Sequence, residues 1–256
     1  MSRPVLRPQR LLHEAARDQA RMQAPIGIGL DSPGVRLRMV ARLRQSGVAG
    51  EAVLAAFAQV PRHQFLDSAL VPQAYEDTSL PIGHGQTISK PSVVARMLEL
   101  LWQSAQAAGR TRLGRVLEIG TGCGYQAAVL ALLADRLSSV ERIGPLHLAA
   151  MARLEVLRRQ LPLCTVDLQH ADGHELRPRG APFDAIVSAA GGESIPESWL
   201  QQLAPGGRLV APLQVAKGHG QRLVVVDRVR TTAGNEWSYT EHEAVSFVPL
   251  KSGLLP

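Results

Sequence analysis

The stretch V-L-E-I-G-T-G-C-G-Y, Val116 to Tyr125, decides the fold. An apolar strand, Val116 to Ile119, runs into Gly120, Gly122 and Gly124, and a helix is expected from Tyr125 to Ala134. Glycine permits a tight turn and close approach of a ligand to the backbone, while the first turn of a helix offers unpaired N–H groups. Glu141 ends the next strand, 23 residues after Glu118. A carboxylate at that place can accept hydrogen bonds from both hydroxyls of a ribose.

Outward from this turn the pattern alternates. Strands are expected at Val116–Ile119, Ser138–Glu141, Thr165–His170, Ala185–Ser188 and Arg208–Pro212, with helices at Tyr125–Ala134, Pro145–Gln160 and Glu197–Leu203. Such alternation predicts an α/β fold: an open, mostly parallel sheet covered by helices on both faces. Arg222–Arg230 and Glu241–Val248 read as two further strands joined across Thr231–Asn235, an antiparallel addition at the sheet edge. Upstream, helical spacing appears at Val35–Gln45, Glu51–Gln59 and Pro91–Gln103. Between the last two lies Pro61–Pro91, rich in turn formers and poor in periodicity. A loop of that length inside a compact protein points to a functional site. The chain therefore divides into a basic arm (1–34), a helical and loop region carrying the active-site loop (35–114), and a cofactor-binding core (115–256).

The glycine turn by itself admits a dinucleotide or S-adenosylmethionine. The dinucleotide fingerprint requires a third glycine where this chain has Tyr125. Glu118, inside the strand before the turn, suits a cofactor bearing an ammonium group and would sit badly beside a pyrophosphate. Asp172, in Ala171-Asp172-Gly173, is placed to accept from an adenine amino group or simply to make an Asp-Gly turn. Asp184 reads as a cap or edge carboxylate as readily as a cofactor contact, and Cys123 as a small packed residue.

Composition narrows the partners. The net charge of +6, from 28 basic and 22 acidic side chains, favours anions, but the basic residues are dispersed and aromatics make up only 4%, so no stacking platform for nucleic acid is expected. The longest apolar runs are too short for a bilayer core of about 30 Å. Cys123 and Cys164 make no metal-type pair, His147, His170 and His174 lack ligand spacing, and no metal site is expected. The Arg-rich start has no apolar stretch of the secretory kind, so a cytoplasmic location is expected.

At four stretches the chain resembles the protein-L-isoaspartate O-methyltransferase family: VPRHQFL (Val60–Leu66), LPIGHGQTISKP (Leu80–Pro91), VLEIGTGCGY (Val116–Tyr125) and SVER (Ser139–Arg142). The terminal FVPL, Phe247–Leu250, supports it, and the likeness spans Val35 to Gly253. The glycine turn is common to many methyltransferases, whereas LPIGxGQTIS is the discriminating part. The resemblance implies a Rossmann-like class I methyltransferase, S-adenosyl-L-methionine as co-substrate, and isoaspartyl peptides or flexible protein segments as acceptors, repaired through a succinimide by a monomer. It implies that Glu118, Gly120, Thr121, Gly122 and Gly124 hold the methionine moiety, that Glu141 holds the ribose, and that Ala171 and Asp172 meet the adenine. Ser89 then takes the active-site role, with Thr87 beside it; on local pattern alone Ser89 reads as the N-cap of the helix from Pro91. The chain departs from the family pattern at Ala171 (often Gly), at Cys123 (often Ser) and at Ser188–Gly192. Rival readings are a methyltransferase for RNA or a small molecule and a binding module without catalysis.

Overall fold

The computed structural model describes residues 33–174, 180–214, 220–231 and 234–256. The basic arm expected over residues 1–34 lies almost wholly outside the described residues, as does the centre of the turn at 231–235.

Two helices, α1 (Pro33–Gln45) and α2 (Glu51–Gln59), precede two 3-10 turns at Arg62–Phe65 and Ser68–Gln73. A hairpin of β1 (Leu80–Gly83) and β2 (Gln86–Ile88) leads into α3 (Pro91–Ala107). The alternating part follows: β3 (Arg115–Ile119), α4 (Tyr125–Leu133), β4 (Arg136–Glu141), α5 (Gly144–Arg158), β5 (Thr165–His170), β6 (Phe183–Ser188), α6 (Glu197–Gln202) and β7 (Leu203–Gln214). Two antiparallel strands, β8 (Gln221–Thr231) and β9 (Gly234–Val245), complete a seven-stranded sheet of order β5-β4-β3-β6-β7-β8-β9. Strands β3 to β7 pair in parallel. After β5 the chain returns to the other side of β3 to form β6. The carboxyl ends of β3 and β6 thus flank a topological switch point, where open α/β sheets bind ligands.

Strand β3 shows why the glycine turn is so firmly placed. Val116 and Leu117 are both fully buried and belong to opposite core clusters, one on each sheet face. A strand buried on both sides reads as an apolar run and not as an alternation. The larger cluster joins Met39, Phe57, Leu98 and Val129 from four helices to Val116 and Val187, so the helical region and the core share one interior. On the other face, among the described residues, only the short α6 supplies helical cover, through Trp199 and Leu200. The Trp199 indole N–H donates to Gly173 O at 2.7 Å and ties that helix to the loop after β5.

Four expectations need correction. The Pro61–Pro91 segment is folded, not irregular: its strands are too short for periodicity, and Gly83, His84 and Gly85 turn the hairpin with φ of +88°, +52° and +68°. Strand β7 begins at Leu203, not Arg208; Pro205-Gly206-Gly207 forms an irregularity within the strand, where Phe183 pairs Leu203 but Ala185 pairs Arg208. Strand β9 begins at Gly234, not Glu241, because an exposed edge strand can carry polar residues throughout and still pair with β8. It also ends at Val245, and Val248 lies beyond the sheet.

The fourth correction concerns Ser89. The N-cap position of α3 is Lys90, which makes no side-chain cap bond. The cap comes from afar: Asp77 Oδ1 accepts from Ser92 N at 2.9 Å, and Oδ2 from the Ser92 hydroxyl at 2.8 Å. Asp77→Ala should therefore lower unfolding stability by about 1 kcal/mol, read as a shifted urea midpoint with an unchanged slope. An unshifted midpoint would show that this cap contributes nothing.

Candidate active site

The floor of the site is the β3–α4 turn. Gly120, Gly122 and Gly124 have φ of +87°, +56° and +92°, a region that disfavours side chains. Space adds a second constraint at two of them. A Cβ at Gly124 would lie 3.2 Å from Ala150 Cβ of α5, and one at Gly122 would lie 3.3 Å from Ile82 Cδ1 of the hairpin. Glycine here lets the hairpin and α5 close on the turn.

Two carboxylates meet this turn at different depths. Glu141 lines the cavity; its Oε2 accepts from Gly122 N at 2.8 Å and its Oε1 from Ile143 N at 2.9 Å. A carboxylate offers roughly four acceptor sites, so capacity for hydroxyl donors remains. Glu118 is fully buried and lies behind the lining residues Thr121 and Gln126. Its Oε2 accepts from the Ser139 hydroxyl at 2.5 Å, and Ser139 Oγ is 2.6 Å from Thr121 Oγ1.

Glu118 Oε1 and Gln126 Nε2 are buried and neither makes a hydrogen bond of good geometry, although the amide lies near enough to favour the carboxylate. Burial pushes the Glu118 carboxyl up to about 8, against the opposing pull of Ser139 and Gln126, and the Glu141 charge adds to the push. An uncompensated buried carboxyl is costly and calls for a cation. The pocket thus fits a cofactor that brings an ammonium group to the glycine turn.

The cavity and its open mouth together span about 880 Å³. Gly120, Thr121 and Gly122 line one side; Thr87 and Ser89 line it from the hairpin, and Ala189 and Ala190 from the loop after β6. Thr87 is exposed and Ser89 half-buried. Gly124 stands outside the lining, packed near Ala150 and Phe65.

Ala171 and Asp172 also stand outside the lining, beside Gly173, which is part of it. Asp172 Oδ1 accepts from His174 N at 2.8 Å and Oδ2 from Gly253 N at 2.6 Å, while Ala171 N donates to Glu141 O at 3.0 Å. Asp184 is remote, at the opposite end of the strands, accepting from Arg115 N at 2.8 Å and pairing with Arg110 at 2.9 Å. Cys123 is buried, and burial raises its thiol pKa, in keeping with a packed residue. His84 sits exposed at the hairpin tip, outside the cavity. His63 supports the loop, with Nδ1 2.7 Å from the Tyr75 hydroxyl. Among the described residues no group of His, Cys, Asp or Glu is arranged to hold a metal ion.

Two parts of the site were not anticipated. Gln126, buried at the start of an otherwise apolar α4, approaches Glu118; a lone amide in Y-Q-A-A-V-L-A-L-L was the available signal. The other is the segment after β9, whose Val248, Pro249, Leu250 and Lys251 line the cavity. Leu250 N donates to Gly191 O at 2.8 Å, Arg142 Nε to Gly253 O at 2.8 Å, and Leu255 N to Arg142 O at 2.9 Å. Such a strap has no periodicity to read.

Comparison with known proteins extends these observations. The family model for protein-L-isoaspartate(D-aspartate) O-methyltransferase matches residues 36–254. A protein-L-isoaspartate O-methyltransferase of Methylibium petroleiphilum is 55% identical over 250 residues, covering 98% of this chain and 89% of the relative. One of Leptothrix cholodnii is 56% identical over 248 residues, covering 96% and 84%. Among solved structures, a protein-L-isoaspartate O-methyltransferase at 27% identity superposes with a TM-score of 0.70 over 86% of this chain and 67% of its own. A Plasmodium falciparum structure in complex with S-adenosyl-L-homocysteine, at 22% identity, shares the fold with a TM-score of 0.69 over 84% and 98%. With the glycine turn, the ribose-type carboxylate and the hairpin hydroxyls around one cavity, and a match over nearly the whole described chain, this protein belongs to the protein-L-isoaspartate(D-aspartate) O-methyltransferase family.

Proposed function

We infer that the chain methylates the free carboxylate of L-isoaspartyl residues in damaged peptides and proteins, the activity of its family, with S-adenosyl-L-methionine as methyl donor. When bound, S-adenosylmethionine supplies a methyl group carried on a sulfonium. One observation supports this reading above the others. A single cavity has a cation-seeking end, at Thr121, Gln126 and the buried Glu118, and a hydroxyl-bearing end, at Thr87 and Ser89, contributed by a separate hairpin.

In this reading Glu118, through its link to Ser139 and Thr121, favours the ammonium of the methionine moiety at the glycine turn. Glu141 accepts from the ribose, and Asp172 with Ala171 serves the adenine end. Thr87 and Ser89 orient the acceptor. That carboxylate, with a pKa near 4, is ionised at pH 7 and needs no general base. The cavity lining correspondingly includes no histidine among the described residues. The residues' task is to align the acceptor and exclude water, and orientation alone can lower a barrier by about 7–11 kcal/mol. The carboxylate oxygen gains the methyl, the C–S bond breaks, and its electron pair returns to sulfur. The resulting ester is a better leaving group, so the neighbouring backbone nitrogen closes a succinimide, whose hydrolysis restores some normal linkage without further help from the enzyme.

Methyl transfer to two peptides differing only in one Asp or isoAsp linkage tests the acceptor. Labelling should be confined to the isoAsp peptide. Equal labelling of both, or none despite cofactor binding, would leave the rival reading of an RNA or small-molecule methyltransferase in possession. We also propose a monomer, which a sedimentation mass near 27.6 kDa would support and a doubled mass would exclude.

A further inference from the structure

Arg62 lies in the V-P-R-H-Q-F-L stretch and is completely buried, with 0% of its surface exposed. Its Nε donates to Ala74 O at 2.8 Å, and its Nη2 to Ser89 O at 2.8 Å and to Thr78 O at 3.5 Å. These acceptors lie 12, 27 and 16 residues along the chain, so one guanidinium gathers three separate parts of the segment before α3. Its Cζ lies 4.8 Å from the ring centroid of Tyr125, the first residue of α4 and part of the cavity lining. Nη1 has no partner.

Burial works against the charge of this group, while Tyr125 and Asp77 favour it. No carboxylate forms an ion pair with Arg62 among the described residues. The guanidinium faces Tyr125 at the amino end of α4, whose partial charge is positive, and lies three residues beyond the carboxyl end of α2, whose partial charge is negative. Apolar atoms in its place would leave the carbonyls of Ala74 and Ser89 without this donor, at a cost in stability. Its planar fork reaches carbonyls that an ammonium cannot span together, and so fixes their separation as well as satisfying them.

We propose that Arg62 is a positioning residue for methyl transfer. Its fork sets the main chain at Ser89 against the face of Tyr125, and so sets the distance between the acceptor-side hydroxyls and the glycine turn. This rests on the reading of Thr87 and Ser89 as the residues that orient the acceptor. A misplacement near 1 Å costs about 100-fold in rate, while the cofactor half of the cavity, built on β3, β4 and α4, is left as it was.

The test uses Arg62→Lys, which keeps the charge and loses the fork, and Arg62→Met, which fills the space. For each, turnover of an isoAsp peptide is measured per fraction competent to bind S-adenosylhomocysteine, together with KM, the dissociation constant of S-adenosylhomocysteine and the melting temperature. Expected are a fall of about 100-fold in kcat, a smaller change in peptide KM, an unchanged dissociation constant, and a lowered melting temperature in both variants, since the carbonyls of Ala74 and Ser89 lose a donor. Arg62→Lys combined with Ser89→Ala should be no slower than Ser89→Ala alone, since both act through one element. Full turnover in either variant, with only melting affected, overturns the proposal; if one variant does not fold, the other decides by the same kcat criterion. Additive losses in the double variant overturn it as well. Full turnover in Ser89→Ala alone would instead remove the reading beneath it, so the two failures are distinguishable.

Discussion

Glu118→Gln is expected to weaken cofactor binding by about ten- to a hundred-fold above pH 8, the loss of a buried charge that acts on the ammonium through Ser139 and Thr121. The same change should make the cofactor-free protein more stable at alkaline pH. The sign follows from burial. The folded-state pKa of Glu118 is raised from 4.5 to about 8. Between those values the native protein holds a proton that the unfolded chain has released, so this group's contribution to stability falls as pH rises through the window. Above it the native state carries a buried, uncompensated charge. Glutamine keeps the shape and cannot ionise, so the variant should lack this decline. A bound ammonium reverses the argument: it favours the carboxylate, so cofactor binding should release a proton and tighten as pH rises toward and through 8 in the parent, but not in the variant. Urea midpoints across pH, and titration calorimetry in buffers of different ionisation enthalpy, read both effects. Equal affinity of the two proteins at pH 8.5 would remove Glu118 from cofactor recognition.

Ser89→Ala should lower kcat on an isoAsp peptide by about 100-fold, the cost of a poorly aligned acceptor, with S-adenosylhomocysteine binding unchanged. Stability should move by less than about 0.5 kcal/mol, because the cap of α3 belongs to Asp77 and Ser89 takes no part in it. The pairing of a large kinetic effect with a small thermal one is what separates the two roles. A variant that turns over normally and melts early would return Ser89 to a structural part.

Local rules account for most of what was legible beforehand. Val116 to Tyr125 could be read because its constraints act over a few residues: an apolar run for a strand buried on both faces, then glycines where the backbone turns left-handed. Helix α2 and strand β5 fell where the pattern put them, and Glu141 met the cavity because the end of a strand beside the switch point has one place to go. Elements whose periodicity is short or polar were drawn badly. The hairpin β1–β2 is too brief to show alternation, and β9 is an edge strand whose pairing with β8 carries no hydrophobic mark.

By itself, then, the sequence determined the parallel core, the glycine turn and the pairing of Glu118 with Glu141 around it, since backbone sterics and burial periodicity are properties of neighbouring residues. Tertiary structure decided the depth of Glu118 beneath Thr121, the transfer of the α3 cap from Ser89 to Asp77, the strap of Val248 to Lys251 across the cavity, and the burial of Arg62 under the hairpin. Each of these depends on which groups water can no longer reach and on what distant backbone they then meet. That information lies in contacts between residues far apart in the chain, and no local pattern carries it.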